Sequence, residues 1–523
     1  MLRRINFGLL KTVKYATIAA AAFTALILKT ARSVAEKVEF TTLRFALFFC
    51  IVFALYYILP KRFRWTVLLC ADVYFISLSV NFSGCAAFCA AAVFSYTGAV
   101  LCDRAKNKTL RCLFAALGAG IPLFLLVIFK YIGFIPPLFG AESVFRLTAP
   151  LGISYYTLQT ISYCVDVYSK KIKPEKHFGY YLIYLTFFPY FVSGPIEKAG
   201  TIIPQLKENK EFDYFSAKNG CFYIVLGMFQ KLAVANNLAN FADRAFNNPQ
   251  GVTGMSLLAA VVLYSVQIYA DFAGYSNMAL GLAKLLGIKL TQNFKQPYFS
   301  LSIKEFWRRW HISLSQWLKD YIYIPLGGSR CPKWRHCINL LITFIVSGLW
   351  HGAGLCFAVW GALHGLYQII GMLLRPVKEK LYKLLRIKET AAPVKTLKML
   401  CLFILVSFAW IFFRVGCLDN AAQMPADITT ALYIIKKIAA DFSLSYSAVA
   451  NGLVMISLTP IYLVRLAILT AVFFAAEAAA YKQGFAKWLA ARPAAVQAAV
   501  CYILLIFSTF FSADSGGFLY FKF

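Results

Sequence analysis

One histidine, His351, carries the residue type and surroundings best suited to proton transfer in this 523-residue chain, while a second, His311, reads as a rim residue of an amphipathic helix. An imidazole near its ordinary pKa accepts a proton from a hydroxyl at neutral pH, which is what acyl transfer to an alcohol requires. His351 follows the apolar run Ile338 to Trp350 and precedes Gly352-Ala353-Gly354, where the backbone can bend or approach another group closely. A structural histidine bonded to a neighbouring helix fits that pattern equally well. His364, in WGALHG, is expected to make such an interhelical hydrogen bond. Asp271 lies inside the apolar QIYADFAGYSNMALGLAKLLG, where an ionisable group is a functional candidate by default. Its alternative is a helix–helix hydrogen bond or pairing with Lys284.

Other chemistries find little support. Cys331, His336 and Cys337 share a basic loop but lack the paired C-x-x-C ligands of a zinc site, so no metal is expected. The 14 cysteines are scattered singly, mostly in apolar runs, and imply no disulfide framework. No P-loop or dinucleotide fingerprint occurs, and Gly274, Gly281 and Gly287 read as positions of close helix packing.

The element that must present His311 is SIKEFWRRWHISLSQWLKDYIYIPLGG, from Ser302 to Gly328. Ser302 and Glu305 fit a capping box. At the helical period Phe306, Trp307, Trp310, Leu314, Trp317 and Leu318 fall on one arc, with Lys304, Arg308, Arg309 and Lys319 on the other. The pattern predicts one helix lying in the membrane interface, with His311 at its rim. Pro325, Gly327 and Gly328 end it.

The rest of the chain is apolar enough to need a bilayer: 60% of residues are hydrophobic and only 14% charged. A net charge of +31 in a soluble protein would suggest a nucleic-acid partner. Here the basic residues cluster between apolar runs, which is the positive-inside pattern and implies no nucleic acid. Spans are expected at 43–59, 65–82, 85–102, 112–136, 220–238, two between 256 and 290, and further ones at 397–413, 461–480 and 494–511, about a dozen segments in all. The loops Lys61–Arg64 and Arg104–Arg111 are expected to face the cytoplasm, and Lys130, at the end of its span, to snorkel. The region 150–204 is broken by Gly and Pro and reads as tilted or re-entrant. Asp166 is expected to pair structurally. Residues 1–38 read as an N-terminal extension with a possible extra anchor helix, and 39–523 as one membrane domain with its motif core at about 150–372.

KEFWRRWHISLSQWLKDYIYIPLGG, SGLWHGA and FAVWGALHG together resemble the signature of the membrane-bound O-acyltransferases, in the bacterial branch that includes the alginate O-acetylation protein. LPKRFRW, PLGISYYTLQTISYCVDVY, FPYFVSGPIEK, NFKQPYFS and the terminal FLYFKF extend the resemblance. It implies an all-α bundle of transmembrane and re-entrant helices with a central tunnel, in a bacterial cytoplasmic (inner) membrane. It also implies His351 as the essential histidine and His311 as the second motif histidine. The donor would be acetyl-CoA or a carrier-borne thioester in the cytoplasm, with no bound cofactor. The acceptor would be an exported or cell-surface polysaccharide, alginate-like or peptidoglycan, with an extracytoplasmic acetyltransferase as partner. Asn339 joins His311 as a candidate to orient the acyl carbonyl or the acceptor, and Arg308 and Arg309 as candidates for coenzyme A phosphates. Two other functions fit: D-alanyl transfer to teichoic acids on the same fold, and transport of an acyl donor or lipid-linked sugar with Asp271 in a proton path.

Overall fold

The computed structural model describes residues 39–78, 82–132, 150–208, 210–386, 388–418, 427–481 and 483–513, so the expected anchor at 1–38 and the terminal FLYFKF lie outside the described residues. Every regular element among the described residues is helical. The described residues open with α1 (Leu43–Ile58), α2 (Arg64–Ser77), α3 (Phe82–Arg104) and α4 (Lys108–Tyr131), then α5 (Ile153–Tyr168), α6 (Phe178–Thr186) and α7 (Ala199–Lys207). Next come α8 (Tyr214–Met228), a π-helical segment at Phe229–Ala235, α9 (Asn236–Asn247) and α10 (Gly254–Leu285). Two short helices, α11 (Ile303–Arg309) and α12 (Ile312–Leu318), precede α13 (Lys333–His351), α14 (Leu355–Leu373), α15 (Arg375–Leu384) and α16 (Ala392–Gly416). The described residues close with α17 (Ile428–Ala440), α18 (Tyr446–Met455), α19 (Pro460–Ala479), α20 (Phe485–Ala490) and α21 (Ala494–Phe510).

Seven helical stretches among the described residues are long and apolar enough to cross a membrane: α3, α4, the continuous rod of α8 to α9, α10, α14, α16 and α19. α1 and α21 are apolar but shorter. This multi-pass membrane protein therefore has fewer full-length spans among the described residues than the dozen segments expected. The pair of spans expected between 256 and 290 is one helix of 32 residues. Gly274 and Gly281 let α10 lie against α8, the close helix packing expected of them. A Cβ on Gly274 would stand 2.9 Å from the Gly227 carbonyl oxygen, and one on Gly281 2.5 Å from that of Gly220. Gly287 differs: it occupies a left-handed turn, φ 73°, just past α10.

Within the broken region 150–204 the stretches 153–167 and 181–199 are almost wholly buried inside the protein, as irregular backbone at membrane depth must be, while the basic turn at 169–171 between them is exposed. Asp72 of α2, fully buried, accepts from Phe188 N at 2.8 Å and from Thr186 Oγ1 at 3.1 Å. It thereby satisfies backbone freed where α6 ends. Asp166 pairs as expected, with Lys171 at 3.5 Å and Tyr321 Oη at 2.8 Å.

One basic face collects the loops at one end of the bundle. Lys61 Nζ lies 3.0 Å from Glu211, Arg64 donates to the Lys210 carbonyl, Lys207 pairs with Glu175 at 2.5 Å, and Arg111 donates to the Tyr168 carbonyl at 2.9 Å. Glu208, Lys210 and Glu211 thus lie on the face of Lys61–Arg64 and of Arg104–Arg111.

Candidate functional site

α13 starts in the basic loop after Pro332 and ends on His351 because Gly352 adopts an extended conformation and the chain turns back. α13 and α14 cross at backbone contact: a Cβ on Gly348 would be 2.1 Å from the Phe357 carbonyl oxygen, and one on Gly361 2.2 Å from that of Phe344. That approach sets Trp360 of α14 edge-on against the His351 ring, centroids 5.2 Å apart at 90°. Phe413 of α16 closes another side at 5.1 Å, and Trp350 a third at 4.8 Å. His351 is 3% exposed. The imidazole therefore sits in an aromatic box contributed by three helices.

His311 stands apart from the single interfacial helix expected of its sequence. Its backbone is left-handed, φ 41° and ψ 56°, and it splits that stretch into α11 and α12. The start is as read: Ser302 Oγ accepts from Glu305 N at 3.2 Å, and Glu305 reaches back to Leu301 N at 2.8 Å. The break comes from Asn293, in a loop remote in sequence. Its carbonyl accepts from Ile312 N at 3.0 Å, and its Oδ1 accepts from Ser313 N at 3.3 Å and Ser313 Oγ at 2.7 Å. A non-glycine residue in this region costs roughly 1–2 kcal/mol and persists where the surroundings over-determine it. The result is that Trp307, Trp310 and Trp317 pack into protein instead of headgroups, and His311 is fully buried rather than at a rim. Its ring meets Phe272 at 4.7 Å and Trp350 at 6.2 Å. The two histidines thus contact the same indole, Trp350.

Other candidates lie elsewhere. Asn339 is twelve residues before His351 on α13, roughly 18 Å along the helix, and donates to the Gly328 carbonyl at 3.0 Å. It fixes the loop at the far end and does not join the histidines. Asp271 pairs with Lys231 of the π-helical segment at 2.6 Å, not with Lys284, and both side chains are buried. Arg309 is engaged by Glu305 at 2.7 Å and Tyr481 Oη at 2.9 Å, while Arg308 is exposed. His364 makes the interhelical bond expected of it, accepting from Trp307 Nε1 at 3.2 Å. Among the described residues no group of three or more His, Cys, Asp or Glu side chains is placed to hold a metal ion.

Three residues near the histidines escaped sequence reasoning. Lys130 turns inward rather than snorkelling, donating to the Trp350 carbonyl and to Ser154 Oγ. Ser154 also accepts, through its carbonyl, from Trp350 Nε1 at 3.1 Å. Asn293, the third, carries no signal beyond its place in NFKQPYFS.

The sequence profile described as "MBOAT, membrane-bound O-acyltransferase family" matches residues 175–414, a stretch that contains both histidines. The chain is also 36% identical over 392 residues to the probable alginate O-acetylase AlgI of Azotobacter vinelandii, covering 73% of this chain and 75% of that protein. The chain belongs to the membrane-bound O-acyltransferase family. It is accordingly an enzyme, an O-acyltransferase. Within the family it is similar to the peptidoglycan O-acetyltransferase of Helicobacter pylori, 34% identical over 64% of this chain and 67% of that one. It is also similar to the teichoic acid D-alanyltransferase of Streptococcus thermophilus, 29% identical over 45% of this chain and 59% of that one. Membership of the membrane-bound O-acyltransferase family removes the need for a transporter reading of the buried Asp271.

Proposed function

We propose that this enzyme acetylates hydroxyls of an exported or cell-surface polysaccharide, using an acetyl thioester delivered on the cytoplasmic side of a bacterial inner membrane. The observation that carries the reading is the placement of His351, a buried imidazole fixed by Trp350, Trp360 and Phe413, with His311 on the same indole. His351 is the general base. As the acceptor oxygen attacks the acyl carbonyl, the O–H bond breaks to His351 and the O–C bond forms. The C–S bond then breaks, and the imidazolium returns the proton to the leaving thiolate. His311 is placed to orient the acyl carbonyl and stabilise its developing charge.

Geometry supports a division of labour across the membrane. His351 is eighteen residues from the start of α13, roughly 27 Å along the helix, and α13 begins beside the loop that Asn339 fixes. Donor thioester, either acetyl-CoA or carrier-borne, approaches from the basic face, and Arg308, the exposed cation of the Arg308–Arg309 pair, meets the donor's phosphates. Acceptor arrives from the opposite side, presented by an extracytoplasmic acetyltransferase partner. The names of the relatives favour an acetyl group: the acetylase-named protein matches this chain over 73% of its length, the D-alanyltransferase over 45%.

The test is His351→Gln in the native host lacking its own copy, with alkali-labile acetyl and D-alanyl esters of the surface polymer resolved by chromatography. Loss of acetyl esters by a factor of about 100 or more at equal protein abundance is expected for removal of a general base. Intact acetylation rejects His351 as the base, and loss of D-alanyl esters alone moves the chain to the teichoic acid reaction.

A further inference from the structure

An α-helix ends with carbonyls that have no partner within it, and a C-terminal cation is favoured by the helix dipole. In α13 those carbonyls belong to the residues that carry the candidate base. Gly348 O accepts from Gly352 N at 3.3 Å. The next two, Leu349 O and Trp350 O, accept from the side chains of Tyr131 and Lys130, consecutive residues at the end of α4. Lys130 also donates to Ser154 Oγ at 3.2 Å and stands 5.9 Å from the centre of the Trp350 ring. Trp350 Nε1 is held in turn by the Ser154 carbonyl at 3.1 Å. A lysine at the end of an apolar helix has an inexpensive alternative, extending its stem to the headgroups. Lys130 instead directs its ammonium into the protein, at a desolvation cost that only specific partners offset.

We infer that Lys130 and Tyr131 form a cross-helix cap on α13, a pair of positioning residues that fixes the last turn and therefore the direction of the His351 imidazole. The cap acts on the two peptides immediately before His351, so its loss lets the turn fray without disturbing the rest of the bundle. Ser154 completes it by holding the Trp350 indole that lies against both histidines. The inference rests on the reading of His351 as the base, and its own measurement is independent of that reading.

The experiment uses the full chain in the native host for ester content, and in phosphatidylcholine/phosphatidylglycerol nanodiscs for amide hydrogen exchange. Lys130→Met keeps length and helix propensity while removing the charge and donors, and Tyr131→Phe removes one hydroxyl. Both variants are expected to speed exchange at Trp350, His351 and Gly352 by about 10-fold, with other helices unchanged. Ester content at equal abundance should fall roughly 10- to 100-fold in Lys130→Met, the scale of a base displaced by about an ångström. Lys130→Arg, which can still donate to both oxygens, should restore most of the loss. Wild-type exchange at residues 350–352 in Lys130→Met overturns the cap, whatever the activity. So does failure of Lys130→Arg to rescue, or a rise in exchange across all helices. If His351→Gln proves active, the base assignment falls while the exchange result still decides the cap.

Discussion

At the scale of single residues, the two histidines were not equally legible. His351 could be picked out because a costly side chain ends an apolar run, a feature local to the sequence. A helical wheel puts His311 at a rim because it assumes an unbroken helix. Its left-handed backbone is imposed by Asn293, eighteen positions earlier, which no periodicity reveals. Asn293→Ala would remove the acceptor for both the Ser313 amide and hydroxyl, leaving buried donors unsatisfied at about 1–3 kcal/mol. Lower thermal stability and reduced acetyl ester content are expected together. Ser313→Ala should add less in the Asn293→Ala background than alone, since the two share one network. Thermal unfolding of the three purified variants checks this; strictly additive losses would detach Asn293 from the break.

At the scale of elements, span existence was readable and span boundaries were not. Apolar runs locate α3, α4, α16 and α19, but a glycine that breaks a helix and one that lets two helices touch look alike. α14 holds both kinds of environment. A methyl group at Gly361 would meet the Phe344 backbone, whereas at Gly371 no atom lies within 4 Å. Gly361→Ala should push α14 off α13, displace Trp360 from His351 and lower turnover. Gly371→Ala on the same helix should keep full activity and gain up to about 1 kcal/mol from helix propensity. Ester content and unfolding temperature, measured on both variants, decide the matter; equal behaviour would mean that the close crossing does not set the site. The single interfacial helix expected from Ser302 up to Pro325 does not form, for a related reason. Amphipathicity shows that one face is buried without saying whether lipid or protein buries it. The strongly basic helix whose residues are all exposed or half-exposed is α15 instead.

At the scale of the whole molecule, the outer surface is itself apolar, with Leu117, Phe124, Ile404 and Phe510 all exposed, so lipid covers what a soluble protein would bury. The interior, in exchange, holds charge. Lys231 with Asp271 and Arg414 with Asp243, the latter at 2.8 Å, tie the rod of α8 and α9 to α10 and α16. Composition and hydropathy found Asp271, but its partner sits forty residues away in a π-helical segment and could not be read from local spacing. A stapling pair and a proton-path residue differ in what a double substitution does. Asp271→Asn strands the Lys231 ammonium, and Lys231→Met strands the carboxylate, each at about 3–5 kcal/mol. Lys231→Met with Asp271→Leu leaves no buried charge and fills similar volume, so unfolding temperature should return most of the way to the parent value and acetyl esters should reappear on the polymer. A double variant that is stable yet inactive would assign the pair to the chemistry instead of the fold. The recovery expected here follows from the pair's place between packed helices, where Phe272 of α10 touches His311 but Asp271 turns to the rod.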